Sequence, residues 1–220
     1  MKIKRTAAGI LAAAMLLPCF GANAASEKDC AAAMERIGEY SLLVGRGDGY
    51  ELEANVTRAE LAVILCRLAR SAPAEYNGEF ADVPAEHWGA GYIKAAADMG
   101  YMSADENGDF SPEANVTFAQ LARVMVSLIG FDDFALARGG YPMGYMTAAK
   151  NMLKIYQSSS TKAEEEATRG DVAVVLSRML DVRLVIVRES SNGVEAAWSD
   201  EYTVKDFLNG TVDTLIITES

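Results

Sequence analysis

Two arginines stand where the backbone argues against a cation. Arg58 and Arg169 each follow a threonine suited to capping a helix, Thr57 and Thr168, which puts them at the first helical position. The positive end of the helix dipole lies there, so a guanidinium is mildly unfavourable. A bound carboxylate would resolve the conflict, because the arginine fork and the free N–H groups of the helix start would meet it together. The other reading is an ordinary surface ion pair with a nearby acid. Further candidates are few. His87 is the only histidine, with no second His or Cys at ligand spacing, which argues against a metal role. Asp105-Glu106-Asn107-Gly108-Asp109 begins like a calcium loop. Phe110 then stands where a glycine is needed and Val116 where a glutamate is needed, so the segment reads as a solvated turn. Trp88 is either a core residue or an exposed face on which a sugar ring can stack. No G-x-S-x-G or HExxH pattern occurs. Asp132-Asp133 and Glu164-Glu165-Glu166 read as solvated surface, and no pair of acids faces one cleft convincingly. The chain is therefore read as non-enzymatic and without a cofactor.

Composition narrows the partners. The 220 residues carry 31 acids against 20 Lys and Arg, for a net charge of −11. Such a chain is a poor ligand for nucleic acid, whose sequence-independent binding runs on clustered basic residues. Residues 1–24 read as a signal peptide: Lys2, Lys4 and Arg5, an apolar run from Ala7 to Leu17, and Ala22-Asn23-Ala24 as the cleavage site. Pro18 before Cys19 is wrong for a lipid-attachment motif. Losing the three basic residues takes the mature charge from −11 to −14. No later apolar run approaches the roughly 20 residues of a membrane span, so no membrane association is expected after cleavage.

The arginines belong to an internal repeat. Ala54-Asn55-Val56-Thr57-Arg58-Ala59-Glu60 recurs as Ala114-Asn115-Val116-Thr117-Phe118-Ala119-Gln120, and more weakly as Glu166-Ala167-Thr168-Arg169-Gly170-Asp171. Each copy predicts a helix opened by a capping box. The apolar residues share one phase: Leu61, Ile64, Leu65 and Leu68, then Leu121, Val124, Met125 and Leu128, then Val172, Val175, Leu176 and Met179. The small residues Ala59, Ala119 and Gly170 would let another backbone approach closely. Asn55 and Asn115 sit in N-x-T patterns that belong to these caps. A second helix precedes each copy, over residues 29–43, 88–99 and 144–156. If the first two helices form an antiparallel hairpin, Cys30 approaches Cys66, and an exported chain permits a disulfide there. The alternative is two buried thiols.

Residues 183–220 differ. Leu184–Val187 and Val212–Thr218 read as short strands, Ser191-Asn192-Gly193 as a turn and Thr203–Leu208 as a helical turn. Two short strands are marginal alone, so this tail must dock on the helices or await a partner.

These motifs resemble the S-layer homology (SLH) family. The carriers are Thr57-Arg58-Ala59-Glu60, the opening motif Phe80-Ala81-Asp82-Val83-Pro84 with His87-Trp88, and the turn Gly108-Asp109-Phe110-Ser111-Pro112. The resemblance covers roughly residues 27–182 by repeat logic. It implies a mainly α fold: a pseudo-threefold SLH trimer of helix-loop-helix repeats around a central three-helix bundle, followed by a short β-containing tail. The repeats would span 25–78, which lacks the opening motif, 79–139 and 140–182, with the extension at 183–220. It also implies a secreted protein of the bacterial cell wall or S-layer. Such a protein is held by an anionic, usually pyruvylated, secondary cell wall polysaccharide in grooves between repeats. The residues carried over as polysaccharide-binding are Arg58, Arg169, Glu60, Asp171, Asp82 and Trp88. Phe118 replaces the arginine in the second copy. The rival reading is a protein-docking module on the same fold, contacting another surface protein through 183–220, with carbohydrate binding reduced or lost.

Overall fold

The computed structural model describes residues 26–46, 49–156, 162–190 and 193–219. The expected signal peptide, and residues 191–192 of the expected turn, lie outside them. Among the described residues the chain is helix-rich, with one small sheet, and no helix is long and apolar enough to cross a membrane.

Each threonine expected to cap a helix does so. Thr57, Thr117 and Thr168 precede α2 (Arg58–Leu68), α4 (Phe118–Leu128) and α7 (Arg169–Met179) and accept from the third helical N–H. Glu60, Gln120 and Asp171 reach back to the threonine N–H groups at 3.1, 3.0 and 3.0 Å, closing three capping boxes. The apolar stripe read from spacing is buried on every one of these helices, with Leu61, Leu65, Leu121, Met125, Val172 and Leu176 wholly inaccessible. Thr117→Ala removes one cap and leaves this packing untouched. The expected loss is about 1 kcal/mol, read as a lower urea midpoint at unchanged slope.

Ahead of each cap the chain runs extended, and these three segments bond to one another. Val56 N–H donates to Ala167 O at 3.1 Å, Val116 to Val56 at 2.8 Å and Ala167 to Val116 at 2.8 Å, which closes a ring. The first helical N–H groups, of Arg58, Phe118 and Arg169, go to the carbonyls of Ala114, Glu165 and Ala54. The second, of Ala59, Ala119 and Gly170, go to Pro112, Ala163 and Leu52. Small residues at that second position admit the incoming backbone. At Gly170 a β-carbon would lie 3.2 Å from the Leu52 oxygen, tighter than side chains normally sit.

The remaining helices do not pair as an antiparallel hairpin within each copy. α1 (Glu27–Gly38) packs on α7, α3 (Ala90–Asp98) on α2, and α6 (Met143–Asn151) on α4, with the short α5 (Asp132–Leu136) against α6. The Cys30–Cys66 disulfide allowed by the hairpin reading is therefore not formed: both cysteines are buried and neither is disulfide-bonded. Cys30 Sγ lies against Gly170, 2.9 Å from where a β-carbon would sit. Cys66 Sγ lies 3.6 Å from the Tyr92 carbonyl oxygen. Burial pushes the Cys66 thiol up to about 11, so it stays protonated and inert.

The tail docks on the helices. β1 (Arg183–Ser190) pairs antiparallel with β2 (Gly193–Thr203) and parallel with β3 (Ile216–Glu219), giving the order β2-β1-β3. β2 was not anticipated, because Ala196, Ala197, Asp200 and Glu201 are weak strand formers. α8 (Val204–Leu208) follows β2, and its Val204 and Phe207 enter the same core as α7. Trp198 stacks on Phe131 at 4.6 Å.

Candidate functional site

The ring of backbone bonds changes what the helix starts can offer. The N–H groups at the first three positions of α2 and α7 are all spent on neighbouring carbonyls or on the cap. The sequence had left them free for an anion. Any carboxylate must be met by side chains alone.

Arg58 lies in a cleft of about 390 Å³, walled by Tyr101–Asp105, Asp109–Ser111, part of α4 and Tyr141. Its guanidinium covers the Phe110 ring at 4.6 Å. Nε donates to Phe110 O at 2.7 Å and Nη2 to Ser103 O at 2.9 Å. Nη1 makes no hydrogen bond to any described residue, and no carboxylate is hydrogen-bonded to this arginine among them. Burial lowers the pKa of Arg58, with the Asp82 charge the largest opposing effect. The group remains a cation at neutral pH. Asp82 forms no hydrogen bond or ion pair with it. Its two oxygens accept the N–H groups of Phe110 and Ser111 at 2.8 and 2.6 Å, which fixes the cleft wall. Asp105 braces its own turn, its Oδ1 accepting from Asn107 and Asp109 N–H.

Arg169 occupies the matching helix position with a different outcome. Its side chain is 2% exposed. Nε donates to Tyr50 O at 2.7 Å, Nη2 to Val44 O at 2.5 Å and Nη1 to Glu60 Oε1 at 3.0 Å. Glu60 also accepts from Arg46 Nε at 2.9 Å while closing its capping box. Burial lowers the pKa of Arg169, and the Glu60 charge opposes this most. Arg169, Glu60, Arg46 and Val44 line a second cleft of about 260 Å³, together with Arg67 and Trp88. Trp88 is 60% exposed and stacks on His87 at 5.4 Å, so it is a rim residue rather than core. Asp171 is buried in its cap and lines neither cleft. At the third such position Phe118 is buried with Tyr156 edge-on at 5.6 Å, and the Tyr156 hydroxyl donates to Phe118 O at 2.8 Å. An aromatic pair fills the place the arginines hold elsewhere.

The clefts also contain residues that sequence reasoning missed. Arg123 on α4 and Tyr141 line the first, and Arg46 and Arg67 the second. Only Arg123 had a usable signal, as a lone cation in an apolar stretch of helix.

Comparison with known proteins agrees with the motif resemblance. Residues 79–122 match the S-layer homology domain. A cell surface protein of Thermoanaerobacter kivui is 30% identical over 162 residues, covering 70% of this chain and 20% of that protein. The middle cell wall protein of Brevibacillus brevis is 26% identical over 191 residues, covering 84% and 18%. A cellulosome-anchoring protein of Acetivibrio thermocellus is 24% identical over 187 residues, covering 76% and 40%. The chain thus spans about a fifth of the length of the first two. It carries an S-layer homology domain and is an SLH-containing surface protein, secreted to the cell wall or S-layer.

Proposed function

We propose that the chain attaches to the cell wall without catalysing a reaction, by binding an anionic, pyruvylated secondary cell wall polysaccharide in clefts between its repeats. The observation that carries this is the Arg58 guanidinium: held in an open cleft by two carbonyls, hydrogen-bonded to no carboxylate, with Nη1 still to be satisfied among the described residues. A carboxylate is the natural partner for such a fork. The names of the relatives, a middle cell wall protein and a cellulosome-anchoring protein, favour the same reading.

In this reading residues 1–24 are a signal peptide, and 25–78, 79–139 and 140–182 are three repeats in a pseudo-threefold trimer around α2, α4 and α7. The closed ring of bonds through Val56, Val116 and Ala167 supports that arrangement. Residues 183–220 form the extension. Arg58 reads the anion, Asp82 holds the wall beside it, and Trp88 offers a stacking face at the second cleft. Glu60, Arg169 and Asp171 hold the frame. The protein-docking alternative is less favoured, because Val204, Phe207 and Leu215 of the tail are already buried in the helical core.

Co-sedimentation with purified walls tests the proposal. The mature protein is expected to pellet with intact walls and to stay in solution once the secondary polymer is stripped. Equal pelleting with both preparations, or with neither, overturns it.

A further inference from the structure

Arg123 shares the first cleft with Arg58, and its side chain makes no hydrogen bond or ion pair among the described residues. The two guanidiniums are close enough for the charge of Arg123 to lower the pKa of Arg58. Like charges in one cleft of an acidic protein are unfavourable unless something negative comes between them. The acids that line the same cleft form no ion pair with them, although the Asp105 charge offsets part of the Arg123 effect on Arg58. Asp105 and Asp109 line it without an ion pair to either arginine, and Asp105 accepts from the backbone of its own turn. The cleft therefore offers two cations together with carboxylate hydrogen-bond acceptors.

The second cleft is differently occupied. There Glu60 already sits between Arg46 and Arg169, in the place an incoming carboxylate would take. Phe118 leaves no cation at the third position.

We infer that each molecule takes one acidic sugar, at the first cleft alone, with its carboxylate between Arg58 and Arg123 and its hydroxyls toward Asp105 and Asp109. Arg123 is the residue that selects the charged sugar over its neutral counterpart. This rests on the carboxylate-binding reading proposed above.

Calorimetric titration of the mature protein tests it, with two probes: a methyl hexoside carrying a pyruvate ketal, and the methyl ester of that ketal. The wild type is expected to bind one equivalent of the acid and to bind the ester far more weakly. Arg123→Ala is expected to weaken acid binding about 30-fold, as for loss of a hydrogen bond to a charged group. Its thermal melt is expected to stay unchanged, because the Arg123 side chain bonds to no described protein group, and Arg123→Lys is expected to recover part of the lost acid binding. Two equivalents for the wild type, or wild-type affinity in Arg123→Ala, overturns the inference and leaves carboxylate binding standing. A wild type that binds neither probe overturns both.

Discussion

Arg58→Ala is expected to release the protein from intact walls, lowering affinity for the polymer about 100-fold. The size follows from what is removed. A half-buried guanidinium paired with a carboxylate contributes both charge and a fixed fork, and truncating one partner of such a pair costs roughly 2–5 kcal/mol. The field of the rest of the molecule does not compensate. A chain at −11 repels an anionic polymer, so retention depends on local cations. The same substitution also removes two bonds to carbonyls and the stacking on Phe110, which together are worth about 1–3 kcal/mol of stability. A urea melt run beside the sedimentation separates the two effects. A variant that remains folded and no longer pellets places the loss in binding. A folded variant that pellets like wild type removes Arg58 from the site.

Sequence carried the local part of this structure. A threonine followed three residues later by Glu, Gln or Asp has one strong local use, and all three boxes formed. The phase of Leu61, Leu121 and Val172 named the buried faces, because a helix has one apolar stripe and must bury it. Which helix covers that stripe is not local. Any amphipathic neighbour satisfies the pattern, so the pairing of α1 with α7 rather than α2 left no periodic mark, and the disulfide expectation failed with it. β2 was hidden for a related reason: its strand character comes from pairing with β1, not from its own residues. The clefts were half legible. Arg58 and Arg169 look equivalent at position N1, but a helix start says nothing about what the side chain meets. That depends on loops from elsewhere in the chain, where Phe110 and Ser103 leave Nη1 of one arginine available and Val44, Tyr50 and Glu60 consume the other.

That difference gives the second arginine a structural role, and Arg169→Met is expected to destabilise the fold by roughly 3–5 kcal/mol, the usual cost of breaking a buried ion pair from one side. Methionine keeps the volume and loses every donor. The carbonyls of Val44 and Tyr50, which the guanidinium ties to the start of α7, are then left without it. Glu60 keeps Arg46 and its cap on Thr57, so its carboxylate is not stranded, and the loss falls toward the lower end of that range. A small domain holds only about 5–15 kcal/mol in total, so a lower urea midpoint is easily measured. A double-mutant cycle with Glu60→Gln isolates the Arg169–Glu60 contact. A coupling of at least about 1 kcal/mol is expected if that contact carries the energy, and no coupling would assign the cost to the two carbonyls instead. Wild-type stability in Arg169→Met would mean that the buried guanidinium contributes nothing net, its desolvation cancelling three hydrogen bonds. Arg58 and Arg169 would then differ only in exposure, and a binding role for Arg169 would again be open.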